Sequence, residues 1–525
     1  MLANLVPDYM IPTAYIPLPQ YPLTATGKIH RRSLRAQFEV LTLEKIVAKG
    51  ALGFSSHVAP STPTERLLQE LWAEILGINP LKISATDSFF RIGGDSLGAM
   101  LLVGAARKQD LNLSVAAIFQ QPRLCDLASF ISGQDAAHQV TPQHTEIIPF
   151  SLLDAVALTP EECRNQAAAL CNLQAVDIED VFPCTPLQAG LIVDTTRRPG
   201  DNVLTETWAF QSGVEETRFR VAWQQVVHAN PILRTRIMDL PGQGLVQVVV
   251  CPESSGIEKA MPARDLGLGT PLVSYQISPS SFSWSIHHAL YDGWSMPLLF
   301  RSLTSHYHQS SPSIPDAPPF QAFVKSIQDC SAEKVERFWQ AEFQGFRAPT
   351  FPVLSSRGYK PRCDRRVKRE IRQLYSEDDF TVATRIKLAW AVLLSKAAHS
   401  MDVSFGTTVS GRHADVAGIE HMTGPTIATV PLRVQVDSSK TVQDMLRQVQ
   451  QQATDMMPFE QTGLQRIRQM SEDCQFGCLF QTLVVIQPEM KQNEGDSVFV
   501  GSSDADDSPF KVYAICTEFV LKGDR

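Results

Sequence analysis

The string FFRIGGDSLGAM contains a serine whose neighbours suit it to covalent modification. Gly93 and Gly94 permit a sharp turn, and Ser96 follows at the predicted start of a helix, where an enzyme could reach its hydroxyl. A serine at a helix N-terminus is more often a structural cap than a reactive group. A hydrolase nucleophile elbow, Gly94-x-Ser96-x-Gly98, fits formally, but no apolar strand precedes it and the unit is too small for a hydrolase sheet.

A second candidate is the histidine pair in SFSWSIHHALYDGWSM. If strand alternation continues through the pair, His288 shares a face with Trp284 and Ile286, while His287 points the other way. Imidazoles that point apart do not bind one metal ion, and no Cys or carboxylate at ligand spacing completes a site. A histidine on an apolar strand face is more often a core residue than a catalyst. The role of the two histidines must therefore be inferred from the sequence around them.

The segment that positions Ser96 has the pattern of a small helical bundle. Thr62 and Glu65 form a predicted capping box, and the apolar stripe after them predicts a helix that ends at Gly77. A second helix is expected from Ser96, and apolar segments continue to about Ile131. A polar linker is expected at 132–146.

The pattern from about residue 147 predicts an α/β domain. A second capping box, Thr159 to Glu162, precedes strand-like runs such as LVQVVV and FSWSIHH. VATRIKLAWAVLLSKAA predicts a buried amphipathic helix, and VSFGTTVSGR predicts a strand that leads into a loop. These elements are the expected framework for the histidine pair.

Composition limits the class of protein. The 525 residues are 44% hydrophobic, which is enough for two or more packed domains. A net charge of -8 with scattered Lys and Arg argues against a nucleic-acid partner. The dispersed cysteines fit a reducing cytosol, and no segment reads as a signal peptide or a membrane span. We expect a cytoplasmic protein without a metal site.

FFRIGGDSLGAM closely resembles the phosphopantetheine attachment motif of carrier domains. The resemblance covers about residues 60–131, including the capped first helix. It implies 4'-phosphopantetheine bound covalently to Ser96. A phosphodiester there would lie near a helix N-terminus, which favours negative charge.

HHALYDG matches the HHxxxDG signature of condensation domains and related acyltransferases with the chloramphenicol acetyltransferase-like fold. EDVFPCTPLQAGLI, HANPILRTRI around Arg234, SGRHADVAGIEHMTGPTIATVPLRV and MMPFEQTGLQRI resemble its other motifs, the later ones in forms common among fungal synthetases. The resemblance implies a two-lobed α/β domain with His288, Asp292 and Gly293 at its active site. Asp292 is expected to pair with an arginine, and Gly293 to bring a backbone N–H near the site.

The N-terminal string LVPDYMIPTAYIPLPQYPLTATGKIHRRSL resembles the end of an adenylation domain, with Lys28 at the position of an acyl-adenylate lysine. The condensation resemblance stops before a second lobe would be complete, so we expect a C-terminally incomplete domain. The predicted organisation is an adenylation remnant at 1–38, linkers at 39–59 and 132–146, a carrier at 60–131 and a condensation domain at 147–525.

Together the resemblances imply part of a nonribosomal peptide synthetase of fungal type. Ser96 would hold an aminoacyl or peptidyl thioester, and the condensation domain would join it to an acceptor amine, with His288 as proton acceptor or positioning group. Expected partners are a phosphopantetheinyl transferase, an upstream adenylation domain and a downstream carrier domain or acceptor amine. A terminal cyclising domain, an epimerising domain and an inactive carrier or docking protein remain alternatives.

Overall fold

The computed structural model describes residues 57–135, 147–154, 158–309, 317–356, 359, 361, 364–371, 378–488, 498–503 and 513–521. The predicted adenylation remnant at 1–38, with Lys28, lies outside these residues, as does most of the linker at 39–59. Nearly all of the histidine-bearing domain and the whole unit around Ser96 are within them.

The N-terminal described unit is a helical bundle. Its first helix begins with the predicted capping box of Thr62 and Glu65 and ends at Gly77, which adopts φ 63°. Trp72 and Phe89 are fully buried in its core and contact each other edge to face. The last helix extends to Asp135, so residues 132–135 are helical and not linker as predicted. The helices are α1 (Pro63–Leu76), α2 (Ser96–Arg107), α3 (Val115–Gln120) and α4 (Leu124–Asp135).

The first lobe of the following α/β unit contains two sheets. One has the strand order β1-β4-β3, and the other has the order β10-β2-β6-β5, in which β10 (Phe499–Ser503) comes from much later in the chain. Buried aromatic residues, including Trp223, Phe282 and Trp284, fill the core between the second sheet and its helices. The elements are α5 (Pro160–Cys171), β1 (Ile178–Pro183), α6 (Pro186–Arg197), β2 (Val203–Phe210), α7 (Glu216–Ala229), β3 (Thr235–Leu240), β4 (Gly244–Val250), β5 (Val273–Ser278), β6 (Ser281–His287), α8 (Ser295–His308) and α9 (Phe320–Gln328).

The second lobe is built on one sheet with the order β11-β9-β7-β8. Its separate core contains Trp339 and Phe405, both fully buried. The predicted amphipathic helix and the strand after it are both present, as α11 and β7. The elements are α10 (Ala332–Phe343), α11 (Val382–Ala398), β7 (Asp402–Val409), β8 (Ala428–Gln435), α12 (Val442–Met456), α13 (Leu464–Met470), α14 (Glu472–Gly477), β9 (Thr482–Pro488) and β11 (Ile515–Leu521).

A strand exchange connects the two lobes. β9 lies in the second lobe, but β10 pairs antiparallel with β2 of the first lobe, with Phe499 opposite Phe210. The chain then returns as β11, which runs parallel to β9. The histidine pair lies at the end of β6, where His287 is opposite Val203 of β2, whereas β10 pairs with the other end of β2, at Thr207–Phe210.

Hydropathy adds one observation. In the described part of the chain, every helix falls short of the length and apolar character that crossing a bilayer requires.

Candidate functional site

Ser96 is the first residue of α2, as predicted, but it is not the helix cap. Asp95 is the cap, and its Oδ1 accepts a hydrogen bond from the Gly98 N–H at 2.7 Å. Ser96 is exposed, and within the described residues its hydroxyl makes no hydrogen bond. Because Asp95 takes the structural role, the Ser96 hydroxyl is left available for chemistry.

The turn before Ser96 requires its two glycines. Gly93 adopts φ 106°, in the left-handed region. A Cβ at Gly94 would lie 2.4 Å from the Phe89 ring, so only glycine fits against this core residue. The turn thus fixes an exposed hydroxyl at the N-terminus of a regular helix, and such an arrangement suits an anionic phosphodiester.

His287 is the last residue of β6 and is fully buried. Its Nδ1 accepts a hydrogen bond from the Ala289 N–H at 3.0 Å, so Nε2 carries the proton and donates to Thr195 Oγ1 at 2.7 Å. Burial lowers the pKa of His287 to about 3. The residue is therefore a neutral structural group that fastens the strand end to α6.

His288 has the opposite tautomer. It opens a short 3-10 turn, His288–Leu290, and its Nδ1 lies 2.9 Å from the Tyr291 carbonyl oxygen. A carbonyl only accepts, so Nδ1 carries the proton and Nε2 carries the lone pair. Burial lowers the pKa of His288, although the Tyr291 carbonyl and Asp292 act in the other direction. A neutral imidazole with a basic Nε2 is the form that can accept a proton near pH 7.

The argument from strand alternation does not hold for His288. β6 ends at His287, and His288 already belongs to the 3-10 turn, so the pair does not sit on two faces of one strand. The two imidazoles nevertheless differ in their contacts, since His287 bonds Thr195 and His288 bonds Tyr291.

Helix α6 holds the histidine turn in place. Gln188, in the predicted opening motif, is fully buried and donates from Nε2 to the Ala289 carbonyl at 3.0 Å and to Gln247 Oε1 at 2.8 Å. Thr195, two turns further along, bonds His287. The sequence suggested the motif but not these roles.

Asp292 forms a fully buried ion pair with Arg412. Arg412 Nη2 lies 3.2 Å and 3.3 Å from the two carboxylate oxygens. The Ser295 N–H donates to Oδ1 at 2.7 Å, and the Thr426 N–H donates to Oδ2 at 3.0 Å. Burial raises the pKa of the Asp292 carboxyl, but Arg412 and these N–H groups outweigh it and hold the pKa below its usual value. Asp292 therefore joins the signature loop to the segment 410–426.

Comparisons with known proteins match both parts of the chain. Residues 66–131, with Ser96, match the phosphopantetheine attachment site family, and residues 271–517, with His288 and Asp292, match the condensation domain family. Nonribosomal peptide synthetase ungA' of Aspergillus campestris is 41% identical over 507 residues, 94% of this chain. The chain carries the carrier and condensation domains of a nonribosomal peptide synthetase.

The similarity extends to other fungal synthetases. Nonribosomal peptide synthetase imqB of Aspergillus flavus is 37% identical over 543 residues, which is 100% of this chain. The chain spans only 5% of the length of ungA' and 16% of imqB. Among solved structures, the starter condensation domain of rhizomide synthetase RzmA is 17% identical with a TM-score of 0.49, covering 66% of this chain and 88% of that one.

The family match specifies the cofactor. A phosphopantetheine attachment domain implies 4'-phosphopantetheine bound covalently, and the exposed hydroxyl at the start of α2 fits it.

The arginine partner of Asp292 could not be chosen from sequence. Arg234, from the HANPILRTRI motif, is buried elsewhere: it donates to the Val250 carbonyl at 2.6 Å and pairs with Glu179 at 2.7 Å. Arg412 stands in SGRHADV, 120 residues after Asp292. It opens the longer string SGRHADVAGIEHMTGPTIATVPLRV, which resembles a motif of the condensation domain and contains two arginines, Arg412 and Arg433.

Gly293 lies in the loop after the histidine turn, where the first lobe faces Gln487 of the second lobe. It is exposed, and a Cβ there would lie 3.6 Å from Oε1 of Gln487 on β9, at ordinary van der Waals distance. The structure therefore has room for a side-chain Cβ at this position. The expected contribution of its backbone N–H remains a prediction.

Proposed function

We propose that this chain holds an aminoacyl or peptidyl group on the Ser96 arm as the donor and joins it to an acceptor amine. A phosphopantetheinyl transferase would install the arm, and an upstream adenylation domain would load it. The acceptor would be an amine on a downstream carrier or a free amine. We further propose a cytoplasmic location, for which the free thiols of the described cysteines are typical.

The observation that carries this proposal is the hydrogen bond from His288 Nδ1 to the Tyr291 carbonyl. The bound arm supplies a thioester, whose carbonyl an amine attacks with loss of the thiol. His288 Nε2 accepts the proton that the amine loses as the C–N bond forms, and it can return that proton to the departing sulfur. Burial keeps the imidazole neutral and ready for this role.

The other site residues act through position. Asp292, paired with Arg412, holds the loop that follows His288, and its carboxylate is fully occupied by that pair and by backbone N–H groups. We therefore propose Asp292 as a positioning residue. Gly293 leaves the exposed position beside Gln487 without a side chain. Alignment of donor and acceptor by the protein supplies much of the rate in such a reaction.

Loading is the first experiment. Incubation with coenzyme A and a phosphopantetheinyl transferase should add a single arm, seen as one mass increment of the intact chain. Ser96→Ala should abolish the increment, and Ser129→Ala, in the same domain, should retain it. An increment that persists in Ser96→Ala would contradict the assignment.

Product analysis is the second experiment. The chain is loaded from a panel of aminoacyl-coenzyme A donors, and aminoacyl thioesters of N-acetylcysteamine are added as acceptors. We expect a linear amide, identified by mass spectrometry. A cyclic product would favour the cyclising alternative, which the presence of His287 disfavours, since some fungal domains of that kind have serine there. An inverted donor would indicate epimerisation, and the absence of any product across the panel would leave a carrier function alone.

A further inference from the structure

The surface on which the carrier domain rests includes the residue that follows the HHxxxDG signature. Trp294 comes directly after Gly293 and packs, together with Met457, against the apolar core of the carrier domain. Beside this apolar contact, Arg91 of the carrier donates from Nε and Nη2 to the two carboxylate oxygens of Asp379, both at 3.0 Å. The carrier is thus held by an apolar centre and a bidentate ion pair.

A second ion pair between the two domains has the same arrangement of charges. Arg107, in the last turn of α2, bonds the Asp415 carboxylate at 2.5 Å and the Val416 carbonyl at 3.0 Å. In both ion pairs the carrier supplies the arginine and the condensation domain the aspartate. Exposed ion pairs add little affinity, but they set the orientation of docking. They therefore fix how the carrier is oriented on the condensation domain, with Arg107 placing the end of α2 beside Asp415.

Gly104 allows this face of α2 to come close. A Cβ at Gly104 would lie 2.5 Å from Oε1 and 2.9 Å from Cδ of Glu420, which belongs to the 3-10 turn Ile419–His421. Glycine inside a helix is unfavourable relative to alanine, so this position has a cost for the helix alone. Because Gly104 has no side chain, α2 can lie in close contact with the Ile419–His421 turn.

The same turn also supports the ion pair behind His288. Arg412 donates from Nη1 to the Ile419 carbonyl at 2.7 Å and from Nη2 to Asp292. Trp294 donates from Nε1 to the Glu420 carbonyl at 2.9 Å and from its backbone N–H to Asp292 Oδ1 at 3.1 Å. The Arg412 guanidinium lies 5.7 Å from the centroid of the Trp294 ring. One side chain therefore contacts the carrier, the turn and the Asp292 pair.

We propose that docking of the carrier domain against Trp294 and the Ile419–His421 turn positions the loop that bears His288. Trp294 is the positioning residue that connects the two. The proposal rests on the proposed function and adds that the condensation site is best ordered when its own carrier is in place. Coupling of this kind is reciprocal, so order in the loop also favours docking.

Hydrogen–deuterium exchange of the full chain tests the coupling without any substrate. Gly104→Leu places a side chain against Glu420, whereas Gly133→Leu, the control in α4, adds one where a Cβ meets nothing within 4 Å. We expect Gly104→Leu to speed exchange in peptides containing the Ser295 and Thr426 amides by about 2- to 10-fold, the effect typical of residues that couple through contacts. The control should leave both peptides unchanged.

Two outcomes of this experiment would overturn the proposal. Faster exchange along α2 with unchanged exchange at Ser295 and Thr426 would mean that docking and the loop are independent. Unchanged exchange in both regions would mean that this surface does not hold the carrier. The exchange experiment uses no substrate. Its result therefore does not depend on whether the chain forms an amide, and failure of this proposal is distinguishable from failure of the proposed function.

Kinetics with a soluble donor test the role of Trp294. The donor in this assay is the L-alanyl thioester of N-acetylcysteamine. Trp294→Ala should lower kcat by about 10-fold or more, while KM for the donor stays within about 2-fold. A misplaced loop impairs the reaction more than it impairs donor binding. Trp294→Phe keeps a ring against Arg412 and should recover part of kcat. A kcat for Trp294→Ala equal to that of the unsubstituted chain would refute the positioning role.

Discussion

Ser96 and His288 stand in contrasting surroundings. Ser96 is exposed at the start of a helix, and the residues that form its turn, from Phe89 to Gly98, are neighbours in the sequence. His288 is buried at 6% exposure, and the groups that hold its turn come from Gln188 on one side and from Arg412 on the other. One site is assembled locally and the other from segments more than 200 residues apart.

The contrast follows from what each residue must do. A group that a separate enzyme modifies must be reachable, and a short turn against one core residue is enough to present it. A group that exchanges protons with an amine works best in a fixed tautomer shielded from water, which needs hydrogen bonds and packing from several directions. Changes at the two sites should therefore differ in kind, and the following predictions test that difference.

The largest expected effect is on the rate after His288→Ala. Loss of the proposed proton acceptor should slow amide formation by about 100- to 10,000-fold. Loading of Ser96 should be unchanged, because that site depends on the carrier domain alone. Single-turnover assays with preloaded chain measure the rate, and intact mass measures loading.

His287→Ala is the matched control for that variant. His287 bonds Thr195 and Ala289, so its loss should lower thermal stability more than it lowers the rate of the folded fraction. Full activity in His288→Ala together with no activity in His287→Ala would reverse the assignment of the two histidines.

Asp292→Ala should destabilise the condensation domain by about 3–5 kcal/mol, because the buried Arg412 would lose its compensating charge. Denaturant titration followed by tryptophan fluorescence measures this. Asp329→Ala removes a half-exposed i,i+4 pair with Lys325 and should cost less than about 0.5 kcal/mol. Equal stability of the two variants would show that the Asp292 pair does not hold the loop.

Acid should weaken the condensation domain through His287. Its pKa is about 3 in the folded chain, against about 6.5 when unfolded, so the unfolded state binds more protons between these values. The stability it contributes is complete above about pH 6.5 and declines as pH falls, by up to about 1.4 kcal/mol per pH unit. His287→Gln should flatten this slope between pH 7 and pH 5. An unchanged slope would mean that another group titrates. The carrier residues 60–131 contain no histidine, so this slope should be absent from the carrier domain.

The smallest effect is expected at Gly293. Gly293→Ala adds a methyl group at ordinary contact distance from Gln487 and should change stability by no more than about 0.5 kcal/mol. Gly411→Ala is the contrasting control, because its Cβ would lie 2.0 Å from the Thr426 carbonyl oxygen and its φ is 67°. Similar melting temperatures for the two variants would contradict this reading of the glycines.

Sequence reasoning performed unevenly at the two sites for physical reasons. Around Ser96 the capping box, the glycines and the helix start were all predicted, because each depends on neighbours within one or two turns. At His288 the motif was identified, but the strand was extended one residue too far, since the 3-10 turn is fixed by bonds from α6. The choice of Arg412 over Arg234 depended on tertiary contacts that spacing does not encode.

The central claim is that the group held on Ser96 becomes the acyl part of a new amide in the condensation domain. The most direct measurement follows the intact mass of the donor-loaded chain after an acceptor amine is added, with the small-molecule products quantified in parallel. The account predicts that each donor lost from Ser96 appears as one amide, at the same rate. Donor that stays on Ser96, or that leaves only as the free acid by hydrolysis, would contradict it.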